Sequence, residues 1–533
     1  MVAEHGSRAA PVGESAERAA ARPVALIRSF ATVSSYTMLS RGLGFVRDVM
    51  TAAILGAGPL ADAFFVAFKL PNFLRRLFGE GAFNAGFVPL FAGTLEAEGK
   101  AAARAFAEQA QAFLVAILVP LVAVAIAGMP WLIAVMAPGF EYGGERYEGA
   151  VELSRITFVY ILFISLVTLQ SGVLNSLGRF AAAAASPVVL NLCLIAALLI
   201  SVLWLAEPAT ALAWGVAAAG LLQYLWLRLA VQRAGMALSL RRPRWTPETK
   251  RLFGLVLPGV LGAGVAQINL MADVFFASLL PTGGVSYLYY ADRLNQLPLG
   301  VIGIAVGTAL LPLLARQIRA GEAEAALASQ NRALELALLL TLPCAVGLAV
   351  LSLPIMQVLF ERGAFTAADA QATAAVLAAY ALGLPAYVLV KVLVPGFFAR
   401  RDTKTPVKIA VVCLVANIVF VLALLWPLAQ VGIALATALA AWLNAGLLGY
   451  QLHRGGLLRP DARLRRRLPR IVLVSLVMGA ALWLLEPWLA PLPQSLALVV
   501  LLVLGGTIFA VLAQLSGAMA LGEVRAHMAR PRP

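Results

Sequence analysis

Charge is scarce in this chain. Asp, Glu, Lys and Arg make up 13% of its 533 residues, against about 25% in ordinary soluble domains. Hydrophobic residues make up 61%, and the mean hydropathy is +0.88. These values exclude a soluble globular protein and leave a polytopic membrane protein. The apolar residues come in many runs of about twenty, the length that crosses a ~30 Å hydrocarbon core as a helix. A barrel would show short alternating segments instead. The expected fold is therefore an all-α polytopic membrane protein.

Histidine and cysteine are scarcer still, with three of each. His5 lies in the N-terminal segment, and His453 and His527 lie in loops. A histidine proton relay within the spans is thereby excluded. Cys193, Cys344 and Cys413 each sit in an apolar run. Their spacing suits buried packing and matches no disulfide framework or metal motif. No Ser/His/Asp, Walker or metal-ligand constellation has a suitable context. The chain reads as no enzyme, and ATP hydrolysis by it is not expected. Residues 1–24 lack an early apolar run. They read as a disordered cytoplasmic tail rather than a cleavable signal.

What is present is a series of fourteen expected spans. They are 25–55, 61–94, 103–136, 147–176, 183–205, 208–234, 252–279, 285–315, 330–357, 368–398, 406–427, 429–452, 469–488 and 494–518, divided by Gly and Pro clusters. Loops after even-numbered spans carry Lys100, Arg104, Arg179, the run "RRPRWTPETKR", Arg316, Arg319, "RRDTK" and "RPDARLRRRLPR". Loops after odd-numbered spans carry only Arg146 and Arg362, beside acids such as Glu141, Glu145, Glu148, Glu207 and Glu486. The bias puts both termini in the cytoplasm. It also accounts for most of the net charge of +15, so no nucleic-acid partner is needed.

The sequence repeats itself. "ADAFFVAFKLPNFL" (61–74) aligns with "VSYLYYADRLNQLP" (285–298), which sets Lys69 opposite Arg293. "FVPLFA" matches "LLPLLA", and "SPVVLNLCL" matches "TPVKIAVVCL", in the same relative places. Six spans separate the copies, so both halves have one orientation. Parallel repeats of this kind are a common transporter design, with the substrate site between lobes near the midplane. The expected domains are an N-terminal lobe, 25–235, and a C-terminal lobe, 249–453, of six helices each. A C-terminal pair, 468–518, has no repeat partner, and 519–533 forms a cytoplasmic tail.

Ionisable residues concentrate in spans one, two and eight. Span one holds Arg41, Arg47 and Asp48; span two holds Asp62, Lys69, Arg75, Arg76 and Glu80; span eight holds Asp292 and Arg293. Each charge adds about 2.5–3.5 kcal/mol to insertion on translocon scales, so these side chains should face a polar cavity. At about 100° per residue, Asp62, Lys69 and Arg76 share one stripe with Asn72 and Glu80 close by. Pro71 interrupts that projection. Gly42 and Gly44 offer weak points for a bend that turns Arg41 and Arg47 to one side. Structural ion pairing, as in Arg47–Asp48 and Asp292–Arg293, is the plain reading. Six cations against four anions point further, to an anionic, phosphate-bearing substrate, because the arginine fork matches phosphate oxygens. Asp273, with Asn417 and Thr437, could ligate a coupling cation such as sodium or take part in proton coupling. A hydrogen-bonded structural aspartate is the alternative there. No cofactor is otherwise expected, and membrane potential is a third driving force.

Four stretches carry a resemblance. "SRGLGFVRD" (40–48), "GAGPLADAFFVAFKLPNFLRRLFGEGAFNAGFVPLFA" (56–92), "YYADRLNQLPLGVIGIAVGTALLPLLA" (289–315) and "PGFFARRDTKTPVKIA" (395–410) resemble the MurJ (MviN) lipid II flippases, of the multidrug/oligosaccharidyl-lipid/polysaccharide exporter superfamily. The resemblance covers essentially the whole chain after residue 25. It implies translocation of undecaprenyl-diphosphate-linked lipid II from the cytoplasmic to the periplasmic leaflet of the bacterial inner membrane, for cell-wall synthesis. It implies that the essential cavity arginines are Arg41, Arg47, Arg75 and Arg293, with Asp62 also functional. Arg75 is thus favoured over Arg76. Ser40, Asp48, Lys69, Asn72, Arg76, Glu80 and Asp292 complete the expected substrate-binding set. Spans thirteen and fourteen are implied to form a groove for the prenyl tail. Gln296 stands where some relatives carry an acid. Lipid II and membrane lipids are the implied partners, beside the peptidoglycan synthesis machinery, and the chain is expected to be a monomer. The rivals are a flippase for O-antigen or capsule precursors, a multidrug antiporter of the same superfamily and a polytopic glycosyltransferase. The net positive cluster speaks against a cationic-drug pocket.

Overall fold

The structure is a computed structural model that describes residues 12–75, 83–204 and 206–519. Among these residues it contains eighteen α-helices, one π-helical turn and no strand. The helices fall on the fourteen expected spans in order. Span one is α1 (Val12–Leu55). Span two is α2 (Pro59–Leu74) with α3 (Asn84–Ala97). Span three is α4 (Gly99–Ala127) with α5 (Met129–Met136), and span four is α6 (Glu145–Thr157) with α7 (Tyr160–Ser176). Spans five, six and seven are α8 (Ala181–Trp204), α9 (Pro208–Arg233) and α10 (Pro247–Ser278). Span eight is α11 (Gly284–Pro298), the π turn Leu299–Gly303 and α12 (Ile304–Arg319). Span nine is α13 (Ala323–Val350) with α14 (Ser352–Phe360), and span ten is α15 (Ala367–Phe398).

Spans eleven and twelve are fused in α16 (Lys404–Arg454), 51 residues long. At 1.5 Å per residue, a straight helix of that length would reach about 75 Å, far beyond one bilayer core. Ala429 breaks it with φ 48° and ψ −127°, at the boundary expected between the two spans. A Cβ on Gly432 would lie 2.1 Å from the Leu424 carbonyl oxygen, so only glycine fits this reversal. The last two spans are α17 (Ala462–Leu489) and α18 (Gln494–Leu515). Ile471, Val474 and Ala513 of this pair pack with Leu339 and Leu342 of α13. Nine helices among the described residues are long and apolar enough to cross a membrane, α16 counting once. Their outer faces carry large apolar residues such as Trp204, Leu473, Trp483 and Val503, as lipid contact requires.

One difference from expectation lies at the N-terminus. Helix α1 begins at Val12, inside the segment that reads as a disordered tail. The stretch "ESAERAAAR" is rich in strong helix formers, which accounts for the helix. The segments 76–82 and 520–533, and with them Arg76 and Glu80, lie outside the described residues.

The chain divides into two compact units. The first comprises Met1–Arg47, Pro71–Ala127 and Ile156–Ala263; the second comprises Asp48–Leu70, Gly128–Arg155 and Gly264–Pro533. The divisions fall inside α1, α2, α6 and α10 and between α4 and α5.

Candidate functional site

The expected site residues fall in both units. In the first unit, Arg47 is 8% exposed although it lies in an apolar helix. Its Nη1 donates to Asn191 Oδ1 of α8 at 3.0 Å. The Asn191 amide in turn donates to the Ser40 carbonyl at 2.9 Å and to Ser40 Oγ at 3.3 Å. Ser40 and Arg47 are thus joined through one asparagine. Gly44 faces that same asparagine, and a Cβ there would meet it at 3.5 Å, an ordinary van der Waals distance. Arg75 is oriented within its own helix: its Nε donates to Asn72 Oδ1 at 3.2 Å. Arg41 lies on the same helix as Arg47 and is partly exposed. Both amides orient an arginine without adding a negative charge of their own.

In the second unit, Asp62 is fully buried. Its carboxylate accepts the backbone N–H of Gly283 at 2.8 Å, the N–H of Ser286 at 2.9 Å and the Ser286 hydroxyl at 2.6 Å. These donors form the N-terminus of α11, where a negative charge is favoured by unsatisfied N–H groups and the helix dipole. Arg146 lies 4.0 Å away and also donates to the Leu280 carbonyl at 2.9 Å. Nearby backbone contacts add to this junction. Ala364 N–H donates to the Ala53 carbonyl at 2.8 Å, and the Tyr290 hydroxyl donates to the Gly56 carbonyl at 3.0 Å. The last turn of α1 is therefore bonded to the α14–α15 connection, and the loop that follows it to α11.

Tyr289 is the hub of the other charged group in this unit. Its hydroxyl donates to Asp48 Oδ1 at 3.1 Å, and its ring stacks on Phe65 with centroids 3.9 Å apart. The Arg293 guanidinium sits 4.8 Å from the same ring's centroid, a cation–π geometry. Arg293 Nη2 also pairs with Asp292 Oδ2 at 3.4 Å. Gln296 donates to the same Asp292 oxygen, so its amide supports the carboxylate. Lys69 lies within electrostatic reach of Asp273, Asp292 and Arg293. Asp48, Lys69, Asp292 and Arg293 are thus brought into one neighbourhood.

The candidate cation ligands are spread over two helices, Asp273 on α10 and Asn417 and Thr437 on either side of the break in α16. Asp273 Oδ1 is buried without a hydrogen-bond partner. Asn417 is 3% exposed, and the Thr437 hydroxyl donates to the Ile433 carbonyl at 3.0 Å. Among the described residues no three His, Cys, Asp or Glu side chains cluster as metal ligands. The orphaned Asp273 oxygen fits a small cation, and Lys69 offers that carboxylate a charge partner within the chain itself.

Asn191, Ser286, Arg146 and Tyr289 were not singled out by sequence. Asn191 stands out only as an isolated polar residue in the run "VVLNLCLI", and Arg146 only as a rare base among acidic loops.

Comparison with known proteins gives this arrangement a context. The pattern of the family described as "Lipid II flippase MurJ" matches residues 51–502. A "Probable lipid II flippase MurJ" from Rhizobium tropici is 42% identical over 522 residues, covering 96% of this chain and 98% of the relative. The chain belongs to the MurJ lipid II flippase family. A second "Probable lipid II flippase MurJ", from Rhizobium meliloti (strain 1021), is 46% identical and covers 88% of each chain. Among solved structures, "Lipid II flippase MurJ, inward closed conformation" superposes with a TM-score of 0.75 at 26% identity, covering 91% of this chain and 98% of that one. An inward-facing multidrug transporter of the MATE family gives a TM-score of 0.67 at 16% identity and covers 78% of this chain and 95% of that one. That second likeness shows a shared fold.

Proposed function

We propose that this chain is a lipid II flippase. It moves the undecaprenyl-diphosphate-linked peptidoglycan precursor from the cytoplasmic to the periplasmic leaflet of a bacterial inner membrane, with both termini cytoplasmic. The carrying observation is family membership over nearly the full length of the chain and of its relatives. The side chains support it chemically. Arg41, Arg47, Arg75 and Arg293 lie in helices of a membrane protein, and a diphosphate is the natural ligand for several arginine forks. Asn191 and Asn72 hold two of those forks in set orientations, which lowers the cost of ordering them around a ligand.

In the proposed cycle the arginines capture the diphosphate from the cytoplasmic side and the prenyl tail stays in lipid, along α17 and α18. The lobes then rock to the opposite opening. Asp48 and Asp292, already bonded to Tyr289 and Arg293, reclaim the cations as the substrate leaves. Asp273, Asn417 and Thr437 are the residues that would hold a coupling cation, in competition with Lys69. A coupling cation would supply charge there and membrane potential would add about 2.3 kcal/mol per charge per 100 mV.

Complementation of a strain depleted of its own flippase tests this reading. Wild-type protein restores exposure of lipid II on the outer leaflet. Failure to restore it, with the protein present in the membrane at normal level, overturns the proposal. Purified protein mixed with lipid II should yield no glycan polymer; polymer would favour a glycosyltransferase.

A further inference from the structure

Two buried glutamates sit outside the site described above, one in each repeat. Glu108 of α4 is fully buried. Its Oε1 accepts Arg104 Nε at 3.0 Å and the backbone N–H of Ser239 at 3.1 Å. Its Oε2 lies 2.6 Å from Arg241 Nε. The next residue, Gln109, accepts the N–H of Arg244 at 2.8 Å. One turn further on, the Phe113 ring packs against Trp245 with centroids 4.6 Å apart. The linker that leaves α9 is therefore bound along α4 until Thr246, where α10 begins.

The second repeat does the same with different residues. Glu335 of α13 is 6% exposed. Arg463 grips it with Nε at 3.1 Å from Oε2 and Nη2 at 3.2 Å from Oε1. Arg332 and Arg467 donate to it as well, and Arg332 also reaches Asp461. Asn331 donates to the Arg459 carbonyl at 2.8 Å. The linker that leaves α16 is thus bound along α13 until Asp461 caps α17, through the N–H of Leu464 at 2.7 Å.

The parallel extends to the helix ends and to the register. Helix α9 closes on left-handed Gly235, and Met236 N–H reaches back to the Val231 carbonyl at 3.1 Å. Helix α16 closes on left-handed Gly456, and Leu457 N–H reaches the Leu452 carbonyl at 2.8 Å. Both are the Schellman type of cap. Glu108 and Glu335 are each the sixth residue of their expected span, three and nine respectively. A buried carboxylate is expensive unless paired and hydrogen-bonded. Both are: Glu108 with partners from the exit linker, Ser239 and Arg241, and Glu335 with Arg463 and Arg467 in the first turns of α17, where the exit linker ends.

We propose that Glu108 and Glu335 are a duplicated pair of positioning residues. Glu108 latches the exit linker of its six-helix repeat to the third helix of that repeat, and Glu335 latches the start of α17, at the end of the second exit linker, to the third helix of its own repeat. Glu108 thereby sets where α10 enters the membrane, and Glu335 sets where the α17–α18 pair does. The transport consequence rests on the flippase reading; the latches themselves do not.

Hydrogen exchange on full-length protein in lipid nanodiscs separates the two parts. In Glu108→Gln, exchange in the peptide spanning 236–246 rises about tenfold or more, as loss of charge-assisted bonds would give. The peptide spanning 455–467 is unchanged. Glu335→Gln gives the reverse pattern. Arg241→Gln, at a half-exposed partner, loosens 236–246 in a protein whose fold is under no threat, and Arg241→Lys restores most of the protection. In the same samples Glu108→Gln lowers lipid II flipping several-fold while lipid II binding stays within twofold of wild type. Unchanged exchange in 236–246 in both Glu108→Gln and Arg241→Gln overturns the latch. A loosened linker with wild-type flipping overturns the positioning role. Wild-type protein that does not flip lipid II overturns the function and leaves the exchange result standing.

Discussion

Arg47 and Asp62 are both buried ions in a chain made for lipid, yet they are held in opposite ways. Asp62 rests on backbone N–H groups at the start of α11, with a serine hydroxyl and Arg146 beside it. Two of its donors are main-chain N–H groups, which cannot move without moving a helix. Arg47 rests on the side chain of Asn191, which is itself steered by Ser40. That support is a side chain, which can turn about its own rotamers. The contrast separates two tasks for intramembrane charge: Asp62 joins helices, and Arg47 is aimed.

The comparison can be broken by substitution, beginning with the largest effect. Asp62→Ala leaves two backbone N–H groups and a nearby arginine without their carboxylate. Removing one member of a buried charged group costs about 3–5 kcal/mol. A large fall in thermal midpoint in detergent is therefore expected, together with loss of transport. Asp62→Asn keeps one acceptor oxygen and should fall between wild type and alanine. An unchanged midpoint for Asp62→Ala would show that the junction contributes nothing.

Asn191→Ala should act more on function than on stability. It removes the hydrogen bonds to Arg47 and Ser40, worth about 1–3 kcal/mol. Apparent affinity for lipid II should weaken about tenfold, with a modest shift in midpoint. Equal affinity in the variant and wild type would mean that Arg47 needs no aiming.

Leu502→Ala is the control with the smallest effect. Leu502 is 53% exposed on α18, in a helix apolar enough to span a membrane. Surface changes away from special features usually stay within about 0.5 kcal/mol. Midpoint and transport should both match wild type. A strong transport defect here would show that the prenyl tail's passage along α18 depends on this one side chain.

Much of the architecture was legible because it follows from hydropathy and length. The helices fall on the fourteen expected spans, including the break at Ala429 inside what is otherwise one 51-residue helix. The charged spans were also legible, since Arg41, Arg47, Asp62 and Arg293 cannot hide in an apolar sequence. Their partners were not. Asn191 lies 144 residues from Arg47, and Ser286 lies 224 residues from Asp62. Such pairs are set by how helices dock, which no local pattern records. The two latch glutamates were missed for a related reason. Glu108 and Glu335 lie next to basic loops, where an acid reads as ordinary surface until its burial is seen. The helical wheel favours Arg76 over Arg75 by taking a straight helix across Pro71; Pro71 lies inside α2, and Arg76 lies outside the described residues.

The central claim is that the aimed arginines carry the diphosphate. The most direct measurement replaces Arg47 with alanine in a flippase-depleted strain and reads lipid II on the outer leaflet, at matched protein abundance. The account predicts that wild type restores exposure and Arg47→Ala does not, while the variant's thermal midpoint stays close to wild type. Full exposure with Arg47→Ala would contradict it.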